Sequence, residues 1–277
     1  MNGQQLSKTL HNGGPVFGTL IVSPSPVWPK ALAGANLDFV FIDTEHIPLG
    51  RETVSFMCQL YANMNLAPIV RIPEPSGTLA AMMLDGGAQG IIAPYVESVE
   101  QVRELAGAVK YRPLKGDRLQ QALLGAPLEP PLQEFLDQNN SRNVLIVNIE
   151  STPAIENLDE ILDVPGLDAV LIGPHDLSCS LGIPEQYDHP KFAAAVHEIV
   201  NKARAKQIGA GIHFWENMQS EIDWLKQGMN LLIHSGDITL FAKHLQQELS
   251  AIRRAVSTKL PPEMQPHAPH KPQQVVI

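Results

Sequence analysis

Asp38–His46 reads DFVFIDTEH. Its first six residues form an apolar run without polar alternation, as a parallel strand buried on both faces requires. Its last four, Asp43-Thr44-Glu45-His46, place two acids and an imidazole where the run stops. Seven further runs follow the same pattern: VFGTLI (Val16–Ile21), APIVR (Ala67–Arg71), GIIAP (Gly90–Pro94), VLIVNIE (Val144–Glu150), AVLIGP (Ala169–Pro174), GAGIH (Gly209–His213) and LLIHS (Leu231–Ser235).

Helix signals fill the gaps between them. Ser98 and Gln101 form a capping box ahead of VRELAGAVKY. Thr152 caps a helix with Pro153 at its first position, leading into AIENLDEIL. Phe192–Gln207 is a helical stretch closed by Gly209, and Asn217–Lys226 ends near Gly228. Eight strands alternating with helices admit a closed barrel or an open doubly wound sheet. The count of eight and the lack of a G-x-G-x-x-G turn favour the α/β class with a (β/α)8 TIM barrel. Residues 1–258 are assigned to one barrel domain. Residues 259–277, with five prolines in PPEMQPHAPHKPQQVVI (Pro261–Ile277), read as a flexible tail or an arm onto a neighbouring subunit. Arg112–Arg142, between strands four and five, reads as a long βα loop of the kind that often carries function.

Length and composition agree. The chain has 277 residues, 44% of them hydrophobic, enough for one large core, and a formal charge of −9. No basic face is evident, which argues against nucleic-acid binding. No apolar run has the length of a membrane span, and Met1–Gly14 lacks the apolar segment of a signal peptide. Cys58 and Cys179 fit no metal or redox spacing. A cytoplasmic protein is the expectation.

Barrel chemistry sits at the C-terminal ends of the strands. There the runs end in Asp43, Glu45, His46, Arg71, Glu150, Gly173-Pro174-His175-Asp176, His213 and His234. Glu150 and Asp176 on neighbouring strands suit a hard divalent cation, or are two helix N-caps. Arg71 suits a bidentate carboxylate clamp, or is bridged to Glu45, Asp43 or Asp85. His46 suits proton transfer near pH 7, or is structural. Asp85, at a helix C-terminus where the dipole disfavours an acid, either orients a histidine or is a solvated surface acid. No lysine lies inside a predicted strand, so a Schiff-base mechanism lacks a candidate, and enolate stabilisation falls to a metal.

These motifs resemble those of the HpcH/HpaI family of class II pyruvate aldolases over about Gly18 to Leu249. The resemblance rests on FIDTEH (Phe41–His46), PIVRIP (Pro68–Pro73), MLDGGAQGIIAPYVES (Met83–Ser98), NIEST (Asn148–Thr152) and GLDAVLIGPHDLSCSLG (Gly166–Gly182). It implies a phosphoenolpyruvate/pyruvate-type barrel that reversibly cleaves a 4-hydroxy-2-oxo acid to pyruvate, or a close 2-oxo acid, and an aldehyde. It implies Glu150 and Asp176 as ligands of Mg²⁺, Mn²⁺ or Co²⁺. Arg71 would bind the 2-oxo acid, His46 would serve the acid–base step with Asp85 behind it, and Gly173, Pro174 and Asp176 would line the substrate pocket. It also implies a homohexamer, a trimer of dimers, with the last helix exchanged between subunits. His175, Asn148 and KGDRLQ (Lys115–Gln120) depart from the family pattern, and His213 and His234 add imidazoles near the rim. Arg118 either touches the acceptor aldehyde or is a surface or interface residue. A carbon–carbon lyase of acyl-CoA substrates such as malyl-CoA or citryl-CoA would need a cationic phosphate site that the sequence does not offer. A 2-oxo acid decarboxylase would share the enolate chemistry, and a non-catalytic barrel would have no need of the acid, base and arginine set.

Overall fold

Eight parallel strands, one for each apolar run, close on themselves in chain order. They are β1 (Val16–Leu20), β2 (Phe39–Asp43), β3 (Ala67–Arg71), β4 (Gly90–Ala93), β5 (Val144–Ile149), β6 (Ala169–Ile172), β7 (Gly209–Phe214) and β8 (Leu231–Gly236). Helices follow each strand, making the (β/α)8 barrel expected from the alternation. The computed structural model describes residues 1–257. The proline-rich segment assigned as a tail lies outside the described residues. No helix among the described residues is long and apolar enough to cross a membrane.

The unbroken apolar runs have two destinations, because strand side chains alternate between faces. One set, including Phe39, Phe41, Ile69, Ile92, Val144, Ile146, Leu171, Leu231 and Ile233, fills the barrel interior. The alternate set, including Val40, Ile42, Val70, Ile91, Val147, Ile172 and Ile212, packs under the helices. Leu6 and Leu10 of the first helix (Gly3–His11) join the inner cluster and stopper its lower end. Asp168, fully buried at the foot of β6, ties that helix down. It accepts from Ser7 Oγ at 2.5 Å and lies 3.1 Å from His11 Nε2 and 2.6 Å from Lys110 Nζ. Burial pushes its carboxyl up, but Lys110 and the hydrogen-bond donors outweigh this and hold it below the ordinary value. Two inward positions on β7 are glycine of necessity. A β-carbon on Gly211 would lie 2.3 Å from the Leu231 carbonyl oxygen, and one on Gly209 would lie 2.9 Å from Ala169 Cβ and 3.2 Å from the Asp168 carbonyl oxygen.

The predicted capping box at Ser98 and Gln101 is present. Elsewhere the boundaries move. Ser151, not Thr152, caps the helix after β5, and Asn157 splits AIENLDEIL into two short helices. The long helix spans Pro190–Ala205 and is left through Gln207 at φ 59°, so Gly209 serves β7 and not a cap.

The largest correction concerns Arg112–Arg142. It is largely helical (Gly116–Leu123 and Pro130–Asn140) and follows the barrel helix Val99–Lys110. It therefore connects a helix to a strand, at the end of the barrel opposite the strand C-termini. Asn140 fixes it there by donating from Nδ2 to the Arg112 carbonyl at 2.9 Å. A periodicity reading located this insertion between strands without fixing on which side of the intervening helix it fell.

Candidate active site

Strand register builds the centre of the mouth. β2 and β3 pair Asp43 with Arg71, and both occupy inward positions. Arg71 Nε and Nη2 donate to the two Asp43 oxygens at 2.7 Å each, a fork-to-fork pair. Asp43 is completely buried. Burial pushes its carboxyl up, but the Arg71 hydrogen bonds and charge outweigh that and hold it below the ordinary carboxylate value. Arg71 also stands over the Phe41 ring, 5.3 Å from its centroid, and lines the mouth cavity. The two readings of Arg71 therefore coincide: it is bridged by Asp43, and it still faces the cavity.

That cavity, about 280 Å³, is lined by His46, Arg71, Glu150, Gly173, Pro174 and Asp176 among others. Six of the positions singled out by sequence at the ends of β2, β3, β5 and β6 thus converge on one volume. Pro174 opens the helix Pro174–Ser180 and Asp176 stands in its first turn. Gly173 has a steric role, since a β-carbon there would sit 2.5 Å from Glu150 Oε2. Glu150 is buried and accepts from the Tyr95 backbone N–H at 2.7 Å and from Asn148 Nδ2 at 2.8 Å. Tyr95 adopts φ 55°, a left-handed conformation uncommon for a non-glycine residue. Burial raises the Glu150 carboxyl above its ordinary value, and the neighbouring charges of Asp176 and Glu45 add to this despite the two hydrogen bonds.

The donor set fits a divalent cation on three observations. Glu150 and Asp176 line the cavity, Asp43 and Glu45 stand behind them against Arg71, and Arg71 is the one guanidinium among the lining residues. Glu45 Oε2 and Asn148 Oδ1 are buried acceptors without a hydrogen-bond donor. Glu45 Oε2 lies 3.1 Å from Arg71 Nε, whose proton is directed at Asp43. Finally, the Gly173 cradle keeps Glu150 open on the cavity side. Among the described residues no group of three or more His, Cys, Asp and Glu forms a metal cage. A two-carboxylate site that leaves other positions to water and substrate is the arrangement hard cations such as Mg²⁺ accept.

His46 lies half-exposed at the rim, with Nε2 3.6 Å from Glu45 Oε1 and its backbone N–H on Asp43 Oδ2 at 3.3 Å. Asp85 is not beside it. It ends the helix Gly77–Asp85 at the lower end of the barrel and pairs there with Arg112 Nη2 at 2.5 Å. Helices run antiparallel to their strands, so a helix C-terminus cannot reach the mouth of its own barrel. Within the chain the acid paired with the His46 ring is Glu45. Arg118 pairs with Glu129 at the same lower end and does not reach the mouth cavity of its own chain. His234 also departs from expectation. Its neighbour Ile233 points inward, so His234 points outward, 2.9 Å from the buried Glu221. Glu221 accepts from it and raises its pKa. His175 and His213 do line the cavity. Sequence reading passed over Asn148 and Trp215 as site residues. Asn148 stands on an inward position two residues before Glu150, a period-two signal that would have found it.

A family model described as HpcH/HpaI aldolase/citrate lyase matches residues 20–243. A 2-keto-3-deoxy-L-rhamnonate aldolase from Salmonella gallinarum is 30% identical over 251 residues, covering 90% of this chain and 94% of that protein. A protein of the same description from Escherichia coli K12 is 31% identical over 245 residues, covering 88% and 91%. Among solved structures, an HpcH/HpaI aldolase from Desulfitobacterium hafniense superposes with a TM-score of 0.78 at 27% identity, covering 93% of this chain and 98% of that one.

Proposed function

The chain belongs to the HpcH/HpaI aldolase/citrate lyase family, and on that premise we propose that it is a class II aldolase. It cleaves a 4-hydroxy-2-oxo acid to an aldehyde and pyruvate, or a close 2-oxo acid, and runs the same reaction in reverse. The observation that carries this reading is the mouth cluster itself: acid-rich, buried at Asp43 and Glu150 and open at Asp176 and His46, organised around Arg71, and holding acceptor oxygens without a hydrogen-bond donor. The relatives named as 2-keto-3-deoxy-L-rhamnonate aldolases support the substrate class.

Glu150 and Asp176 would hold the divalent cation, Mg²⁺, Mn²⁺ or Co²⁺. When bound, it supplies Lewis-acid stabilisation of the enolate charge. Arg71, fixed by Asp43, presents its remaining N–H groups to the substrate carboxylate and the developing oxyanion. Gly173 and Pro174 shape the wall beside Glu150. Phe41, Leu171 and Trp215 keep the reacting carbons in an apolar surround. His46, coupled to Glu45, takes the proton of the C4 hydroxyl. The C3–C4 bond then breaks, the aldehyde leaves, and the enolate is protonated at C3 to give pyruvate.

Proton NMR of pyruvate in D₂O tests the reading without a guess at the aldehyde. Metal-dependent loss of the methyl signal is expected. The protein is first stripped of metal and then given Mg²⁺ or Co²⁺ free of Mn²⁺, whose paramagnetism would itself broaden the methyl line, and no exchange with either ion would exclude a pyruvate enolate. Replacing His46 with Ala is expected to slow cleavage by about 100- to 10,000-fold while Mn²⁺ affinity is kept. Loss of metal binding in that variant would remove His46 from the acid–base role.

The last described helix, Asp237–Ser257, supports the proposed assembly. Phe241, Leu245, Leu249, Ile252 and Val256 recur every three or four residues along it, each 41–61% exposed. A stripe of that kind seeks an apolar partner. We assign it to an exchanged contact in a homohexamer built as a trimer of dimers. Sedimentation equilibrium is expected to give a multiple of 30.3 kDa, falling when Phe241 and Leu245 are both changed to Glu. A wild-type mass of one chain would overturn the assignment.

A further inference from the structure

β7 sends Gly209, Gly211 and then His213 into the barrel, and His213 is the polar residue that tops this file. Its ring is held edge-on between Phe41, at 5.5 Å and 76°, and Trp215, at 5.3 Å and 61°. His213 Nε2 lies 3.0 Å from the carbonyl oxygen of Ser235. A carbonyl only accepts, so Nε2 carries the proton and Nδ1 carries a lone pair. Ser235 stands at φ 51°, an uncommon conformation for a serine, at the point where its carbonyl meets this imidazole. His213 is 91% buried and lines the mouth cavity. Nδ1 has no protein partner among the described residues, yet it is not one of the buried atoms sealed from solvent. The free lone pair therefore opens on the cavity.

The geometry points to His213 as a specificity residue that accepts a hydrogen bond from a hydroxyl group on the reacting carbon chain. This inference rests on the aldolase reading and names the substrate chemistry that reading leaves open. Burial, with the Arg71 charge behind it, pushes the imidazole down to about 4, so the ring is neutral and Nδ1 only accepts at neutral pH. An acceptor fixed in place discriminates by chemistry. A substrate hydroxyl satisfies it, a methyl or methylene leaves it unpaired, and a carboxylate or carbonyl sets two acceptors against each other. The same imidazole thus favours a hydroxylated substrate over both its deoxy analogue and its oxidised analogue. The hydroxyl has two possible carriers, C3 of the 2-oxo acid or the carbon next to the aldehyde.

The test compares kcat/KM for two pairs in wild type, His213→Leu and His213→Phe. One pair is hydroxypyruvate against pyruvate with a common aldehyde. The other is glycolaldehyde against acetaldehyde with pyruvate. His213→Phe keeps the aromatic packing between Phe41 and Trp215 and removes only the nitrogen atoms, which guards against a folding defect in the leucine variant. Wild type is expected to prefer the hydroxylated partner in one pair by about tenfold or more, and both variants are expected to lose that preference. The pair that collapses identifies the carrier. Ratios unchanged in both pairs and both variants would overturn the role of His213. Pyruvate deuterium exchange by the same wild-type preparation separates this from failure of the aldolase reading, because exchange with unmoved ratios condemns only His213.

Discussion

Glu150→Gln is expected to abolish metal-dependent exchange of the pyruvate methyl protons while leaving the protein at least as stable as wild type. Losing a residue that merely supports a metal ligand commonly costs 10- to 100-fold in affinity or activity, so losing a direct ligand should cost more, about 100-fold at the least. Stability should move the other way. Glu150 is buried beside Asp176 and Glu45, and its raised pKa means that the fold disfavours its charge without a cation. The sign follows. A carboxyl with a raised folded pKa costs stability fully above that pKa and costs nothing below its unfolded pKa. A neutral amide therefore relieves the strain at pH 7. Hydrogen bonding adapts as well: rotation of the Asn148 amide lets the new Gln NH₂ donate to Asn148 Oδ1, which has no donor in the wild type. Calorimetry with Mn²⁺, exchange by NMR and a thermal melt give the three readouts. Undiminished Mn²⁺ affinity in the variant would take Glu150 out of the metal site.

Arg71→Met should damage activity and stability together. Asp43 has no exposure, and Arg71 supplies both of its side-chain salt-bridge hydrogen bonds. Breaking a buried pair by removing one partner typically costs about 3–5 kcal/mol. The loss should depend on pH. In wild type the Asp43 carboxyl is held low, so the pair contributes its full stability above the ordinary carboxylate pKa, and that contribution fades as pH falls through the lower folded value. In Arg71→Met burial is the largest influence left on Asp43, opposed only by the Glu45 and His46 backbone N–H groups and the nearby His46 ring, so its pKa rises and the acid is neutralised earlier on acidification. The gap between the two proteins is widest near pH 7 and narrows toward acid. Denaturant titrations at pH 7 and pH 5 measure it. Adding Asp43→Asn should restore much of the stability and none of the activity, because the amide removes the stranded charge without restoring a guanidinium. A gap that widens toward acid would show that the pair does not carry the effect.

The legible part of the site was the part fixed by strand ends. His46, Arg71, Glu150, Gly173, Pro174 and Asp176 each sit where an apolar run stops, and a barrel gathers such positions at one mouth. The roles of Asp85, Arg118 and His234 are not legible in the sequence for a common reason. Their positions depend on which end of a helix, or which face of a strand, they occupy in space. Asp85 and Arg118 belong to the lower end of the barrel, and His234 belongs to the outer face of β8. Asn148 was missed because its one polar amide was hidden in an otherwise apolar strand.

By itself the sequence determined the eight strands, their parallel burial and the set of residues at their ends, because these follow from short-range alternation of apolar runs and helix signals. Only the tertiary structure decided the pairings. It locked Arg71 to Asp43 through strand register, left Glu45 and Asn148 with unsatisfied oxygens beside Glu150, and turned His213 inward with one nitrogen committed to Ser235. The physical reason is range. Periodicity along a chain fixes which residues share a face of one element. A salt bridge, a desolvated carboxylate or a fixed tautomer depends on atoms that arrive from strands and helices distant in sequence, once the barrel has closed.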